Sequence, residues 1–231
     1  MLQCPQLRKR GLLPRRGTAV GTWVLYAHDG WGSALVEAQL DWYGLEYTRR
    51  EVGDLFQSAE ARAALAQVNP VAQVPTLVLP DGPVMTESAA ITLYLADFTG
   101  RDDLVPAPRE DCRPAFLRWL VFLVANVYPT FTYADDPARF VRLESARGTF
   151  REAVDEYARR LWQMVESAAG EPWFLGSPFS AIDIYLAVMT HWRPGRDWFR
   201  DHAPRLHAIA AALDREPRLQ AAWQRNFADG G

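Results

Sequence analysis

The chain has 231 residues, 49% of them hydrophobic and 23% charged, with a formal charge of −3. These are the values of a soluble globular protein long enough for one large domain or two small ones, and they argue against general binding to nucleic acid or to a membrane surface. The longest apolar run, WLVFLVA, is too short to cross a bilayer, and two cysteines, Cys4 and Cys112, with no CxxC pair and no export signal fit a reduced, cytoplasmic compartment.

The first seventeen residues hold Arg8, Lys9, Arg10, Arg15 and Arg16 and no acid. With its proline and glycine, the stretch 1–18 reads as a disordered basic extension rather than as a nucleic-acid arm. From Gly21 the pattern changes. GTWVLYA is aromatic and β-branched and predicts a strand, and GSALVEAQLDWYGL has near-helical apolar spacing and stops at Gly44, a C-terminal cap. YTRREV predicts a second strand and SAEARAALAQV a helix ending before Asn69 and Pro70. VPTLVL, the turn PDGP and VMT predict a hairpin, and ESAAITLYLADF predicts a helix with Ile91, Tyr94, Leu95 and Phe98 on one face. Gly100–Pro108 reads as a linker. FLRWLVFLVANVY then supplies one helix, and 137–169 a long one with apolar Phe140, Leu143, Phe150, Val154, Tyr157, Leu161 and Met164. In FSAIDIYLAVM, Ser180 and Asp183 have capping-box spacing, with Phe179 and Ile184 placed for a hydrophobic staple; this is a structural motif rather than a catalytic one.

The order β-α-β, helix, β-β, α is the thioredoxin-like layout, so the fold class expected is α/β plus all-α: a thioredoxin-like domain at 19–99, a linker at 100–108 and a helical bundle at 109–231. Pro75 stands out because it interrupts a strand, and proline cannot donate to a sheet ladder.

That layout, with NPVAQVPTLVLPDGPVMTES and the cap FSAIDIY, resembles the cytosolic glutathione transferases, most closely the bacterial beta class. The likeness covers nearly all of the chain after residue 19. It implies that Pro75 follows a cis bond, with a trans proline on an edge strand as the alternative, and that Val74 presents its N–H and C=O to the peptide-like backbone of glutathione. Ser88, at a helix start, would bind the γ-glutamyl carboxylate, Glu87 would face its ammonium, and Gln73 would add a neutral hydrogen bond.

For the thiol, Ser33 at the start of the first helix is the leading candidate, with Tyr26 and His28 as alternatives. The beta class has a cysteine at or beside Gly32 and Ser33. Its absence argues against chemistry through a mixed disulfide, and the serine-cysteine-rich loop of the maleylacetoacetate isomerases is missing too. Arg49, Arg50 and Arg118 are the cations available to the glycine carboxylate. Trp31, Trp119, Phe122, Asn126, Tyr128, Phe131, Tyr133 and Trp192 are candidates for lining a site for a second substrate. The function implied is a homodimeric, cytoplasmic glutathione transferase acting in detoxification on a small hydrophobic electrophile. Glutathione-dependent peroxidase, dehalogenase or ether-cleaving activity, or ligand binding without turnover, are the alternatives.

Overall fold

A computed structural model describes residues 21–228; the basic extension expected at 1–18 lies outside them. Four strands form one sheet in the order β2-β1-β3-β4, from Trp23–Ala27 (β1), Tyr47–Glu51 (β2), Thr76–Val78 (β3) and Val84–Met85 (β4). β1 runs parallel to β2, placing Leu25 opposite Arg49, and antiparallel to β3, placing Leu25 opposite Leu77. Trp23, Leu25 and Ala27 alternate into the core, the period-2 pattern of a half-buried strand.

Ser33–Tyr43 (α1) covers the sheet and ends at Gly44, whose φ of 65° needs a residue without a Cβ. Ala59–Ala66 (α2) starts at Ser58, which accepts from Ala61 N–H at 3.0 Å. Ser88–Thr99 (α3) completes the first domain. The thioredoxin-like domain is thus the one expected. In α3, Ile91 and Leu95 are fully buried, but Phe98 is exposed against the edge of Trp23.

The second domain is helical. Arg113–Phe122 (α4) and Tyr128–Asp135 (α5) are joined without a break by a widened, π-type turn at Leu123–Val127. There the N–H of Tyr128 donates five residues back, to Leu123 O. Pro129, which has no N–H to continue the ordinary ladder, is the local reason for the irregularity. By length and composition Arg113–Asp135 could span a membrane, in contrast to the reading from the apolar run alone. In this fold one face of it packs into the core, with Phe116, Leu120, Leu123 and Val127 buried, while Val121 and Tyr133 are exposed.

The long helix expected at 137–169 is shorter at its start. Pro137–Arg139 and Glu144–Ala146 are 3₁₀ turns, and the helix proper is Arg147–Ala168 (α6). Leu143 has extended backbone, so the apolar period does not continue through it, and Phe140, Leu143, Tyr157 and Met164 are exposed. The buried stripe of α6 is Ala158, Leu161, Trp162 and Val165.

Ala181–Met189 (α7) is buried along its whole length and carries the capping box. Asp183 accepts from Ser180 N–H and from Phe174 N–H, each at 2.8 Å. Phe179, just before the cap, packs against Trp42 and Trp173. Arg196–His202 (α8), Pro204–Leu213 (α9) and Gln220–Phe227 (α10) close the bundle, and α10 returns to lie on α1.

Candidate active site

Two adjoining cavities lie between the domains, sharing Val71, Gln73, Val74, Tyr128 and Thr132 in their walls. The smaller, of about 230 Å³, is built by the turn before β3 and the start of α3. Gln73, Val74, Pro75, Glu87 and Ser88, five residues chosen from the sequence, all line it.

The turn is pinned from below. Asn69, 4% exposed, donates to Gln73 O at 3.0 Å and to Thr76 Oγ1 at 2.9 Å, and accepts from Val71 N–H. Thr76 donates to the same Gln73 carbonyl. The Val74–Pro75 bond is cis. Among the described residues, neither the N–H nor the C=O of Val74 has a backbone partner, so an extended ligand can pair with both.

Glu87 has a φ of 65°, a left-handed conformation that non-glycine residues adopt at a cost of about 1–3 kcal/mol, commonly at functional sites. Its carboxylate is exposed and makes no ion pair among the described residues. Ser88 opens α3, where unpaired N–H groups favour an anion. Beneath it, Tyr185 meets Thr92 Oγ1 at 3.3 Å; burial pushes the Tyr185 phenol up to about 12 against hydrogen bonds from Ser88 and Thr92. The hydroxyls under the helix start are therefore neutral at physiological pH.

The larger cavity, of about 560 Å³, has an aromatic wall from Trp31, Phe56, Tyr128, Phe131 and Trp192. Of the residues expected to line a second-substrate site, Trp31, Phe131 and Trp192 lie here, Tyr133 lies on the smaller cavity, and Tyr128 lies on both. Trp119, Phe122 and Asn126 line neither cavity: Trp119 packs on Phe122 and Phe174, and Asn126 turns back onto its own helix. The cations differ from those expected. Arg49 is engaged by Asp29, Glu37 and Glu51, Arg50 by Tyr26, and Arg118 lies over Trp119. Arg62, Arg139 and Arg193 line the larger cavity instead, Arg193 paired with Asp135 and Asp155. On the sequence, Arg62 and Arg139 look like any solvated charge.

The three thiol candidates each have partners within the protein. Ser33 does stand at the first turn of α1, but its side chain is fully buried. It donates to His28 O at 3.0 Å and accepts from His28 N–H at 3.1 Å, closing the β1–α1 loop. Tyr26 receives a bond from Arg50, and His28 is bound to Glu51 at 2.6 Å. None of the three lines either cavity, whereas Gly30, Trp31 and Gly32 from the same loop do. Cys112, half-buried before α4, lines neither cavity.

Residues 36–97 match the family model described as glutathione S-transferase, N-terminal domain. The chain is also 39% identical over 203 residues to the GST-like protein YncG of Escherichia coli strain K12, covering 87% of this chain and 97% of that protein. The chain belongs to the glutathione S-transferase family. Among solved structures, a sphingomonad glutathione S-transferase complexed with glutathione is 27% identical with a TM-score of 0.70, covering 87% of this chain and 97% of the other. A glutathione transferase homologue from Sulfitobacter with bound glutathione shares the fold at a TM-score of 0.75 and 21% identity, over 87% and 96% of the two chains.

Proposed function

We propose that this protein is a soluble glutathione transferase. Glutathione occupies the smaller cavity and a hydrophobic electrophile the larger. The observation that carries this reading is the convergence of an unpaired Val74 backbone, a helix start at Ser88 and a free carboxylate at Glu87 on one cavity that opens onto an aromatic one. Those groups fit a γ-glutamyl peptide: strand-like pairing for its middle, an anion site and a cation partner for its end. Bound glutathione supplies a sulfur nucleophile, which forms a carbon–sulfur bond as the leaving group departs with its electron pair.

The protein's own contribution is positional. Val74 fixes the register of the peptide, Ser88 and Glu87 fix its end, with Gln73 at their side, and Trp31, Phe131 and Trp192 exclude water from the second cavity. No cysteine lines either cavity among the described residues, which supports transfer over chemistry through a protein mixed disulfide. The reading includes a cytoplasmic homodimer, as the family resemblance implied.

Calorimetric titration with glutathione tests it. Binding is expected in the wild type and should weaken by about 1.5–3 kcal/mol in Ser88→Ala, the loss of a charge-assisted hydrogen bond. Equal affinity in both proteins would remove Ser88 from the site. The diversion of Ser33, Tyr26 and His28 to structural bonds favours one second reading, a binder without turnover. Tight binding with no conjugation across a panel of activated aryl and alkyl halides would support it.

A further inference from the structure

The place beside α1 that Ser33 leaves empty is filled from the other domain. A Cβ built on Gly32 would lie 1.9 Å from Tyr128 Oη and 3.2 Å from Val74 O. The phenol tip thus occupies the notch that the missing side chain opens, between the start of α1 and the free Val74 backbone. Tyr128 lines both cavities, and its hydroxyl makes no hydrogen bond to the described residues.

We propose that Tyr128 is the catalytic hydroxyl of this protein, donating to the sulfur of glutathione held at Val74. The proposal rests on the reading of the smaller cavity as a glutathione site. Pairing at Val74 brings the cysteinyl unit of the ligand alongside that carbonyl, so its sulfur projects toward Gly32 and the phenol tip. The tip is fixed rather than free. The widened turn at Leu123–Val127 sets the rotation of Tyr128 on its helix, and its ring packs edge-on against Trp192 and Phe131 with centroids 5.6 and 6.2 Å away.

The phenol has to keep its proton to serve as a donor. Burial, reinforced by the nearby Tyr185, Asp135 and Glu87, pushes its ionisation well above the usual range. Asp135 is in turn paired with Arg193, so Glu87 is the unpaired acid facing the ring. The thiol proton leaves to water, and Tyr128 stabilises the sulfur charge through an O–H bond that it keeps. Gly32 is then a requirement of the design, since any side chain there would meet the hydroxyl.

Ultraviolet thiolate absorbance against pH, recorded with glutathione bound, tests the assignment. Tyr128→Phe preserves the ring and removes only the hydroxyl. The bound thiol should titrate at least about one pH unit higher than in the wild type, tenfold less thiolate at a given pH, with glutathione affinity at low pH within about threefold. Gly32→Ala, which displaces the hydroxyl without removing it, should shift the titration in the same direction. Superimposable titrations of wild type and Tyr128→Phe would overturn the proposal while leaving the glutathione site standing, as would a wild-type thiol that titrates like free glutathione. Absence of glutathione binding to the wild type would overturn both.

Discussion

Ser33 holds the β1–α1 loop by donating a hydrogen bond to the carbonyl of His28 and accepting one from its N–H, in a place with no access to water. Ser33→Ala leaves that N–H and carbonyl facing a methyl group, so it should lower unfolding free energy by about 1–3 kcal/mol, read from urea denaturation. It should also leave the titration of a bound thiol close to that of the wild type; a thiol shift without loss of stability would return Ser33 to the site. Residues at this scale were legible where a local pattern carries its own geometry. Gln73 to Pro75 and Glu87–Ser88 each sit on one turn, and all five line one cavity. The approach of Tyr128 to Gly32 was not legible, because it joins two domains and depends on a helix irregularity. The available signals were Pro129, just after Tyr128, and a glycine at or beside the point where the resemblance to the beta class implies a cysteine.

Helix α7 depends on one carboxylate with two jobs, capping its own start and receiving the Phe174 N–H from the preceding loop. Burial raises Asp183 to about 6, against the hydrogen bonds from Phe174 and Ser180. The folded state therefore holds this proton to higher pH than the unfolded chain does. Its contribution to stability is full below about pH 4 and is lost as pH rises through 6. His191, just beyond α7, runs the other way: burial and the adjacent Arg196 lower it to about 4, so the unfolded chain takes up a proton first, and stability from this group is gained as pH rises from about 4 to 6.5. The two slopes oppose each other over one window. Asp183→Asn should cost about 1–3 kcal/mol by turning a donor toward a donor, and should also expose the His191 slope, so that thermal stability climbs with pH across that window more steeply than in the wild type. An unchanged slope would mean that Asp183 titrates normally. The cap itself was readable from Ser180 and Asp183 alone, since it needs three residues of local spacing. The start of α6 was not, because 137–146 keeps apolar residues at near-helical intervals while turning through two 3₁₀ segments.

The two domains are joined at a buried acid. Glu37, on α1, is fully buried and accepts from Arg225 at 2.6 Å and from Asn226 at 2.9 Å, both on α10. Arg225 also reaches Asp41 and Tyr47, while Asn226 accepts from the N–H of Gly30, whose carbonyl receives the indole N–H of Trp192 at 2.6 Å. The last helix thus positions the loop that bears Trp31 and Gly32, linking the docking of the second domain to the shape of the larger cavity. Pattern reading could not find this join, because 188 residues separate Glu37 from Arg225 and a lone acid on α1 reads as solvated. Removing one partner of a fully buried ion pair costs about 3–5 kcal/mol. Arg225 is 39% exposed, and Asn226 and Arg49 remain near Glu37, so Arg225→Ala should fall below that range, at about 2–3 kcal/mol. Glu37→Gln in the Arg225→Ala background should recover part of the loss, because the uncompensated charge is then gone. Denaturant unfolding of the two single variants and the double variant measures this coupling. Strict additivity would mean that the pair is solvated and that α10 is held to α1 by apolar contacts alone. If the coupling is present, Arg225→Ala should also weaken glutathione binding less than it lowers stability, because Val74 and Ser88 are anchored within the first domain by Asn69 and α3 and do not depend on α10.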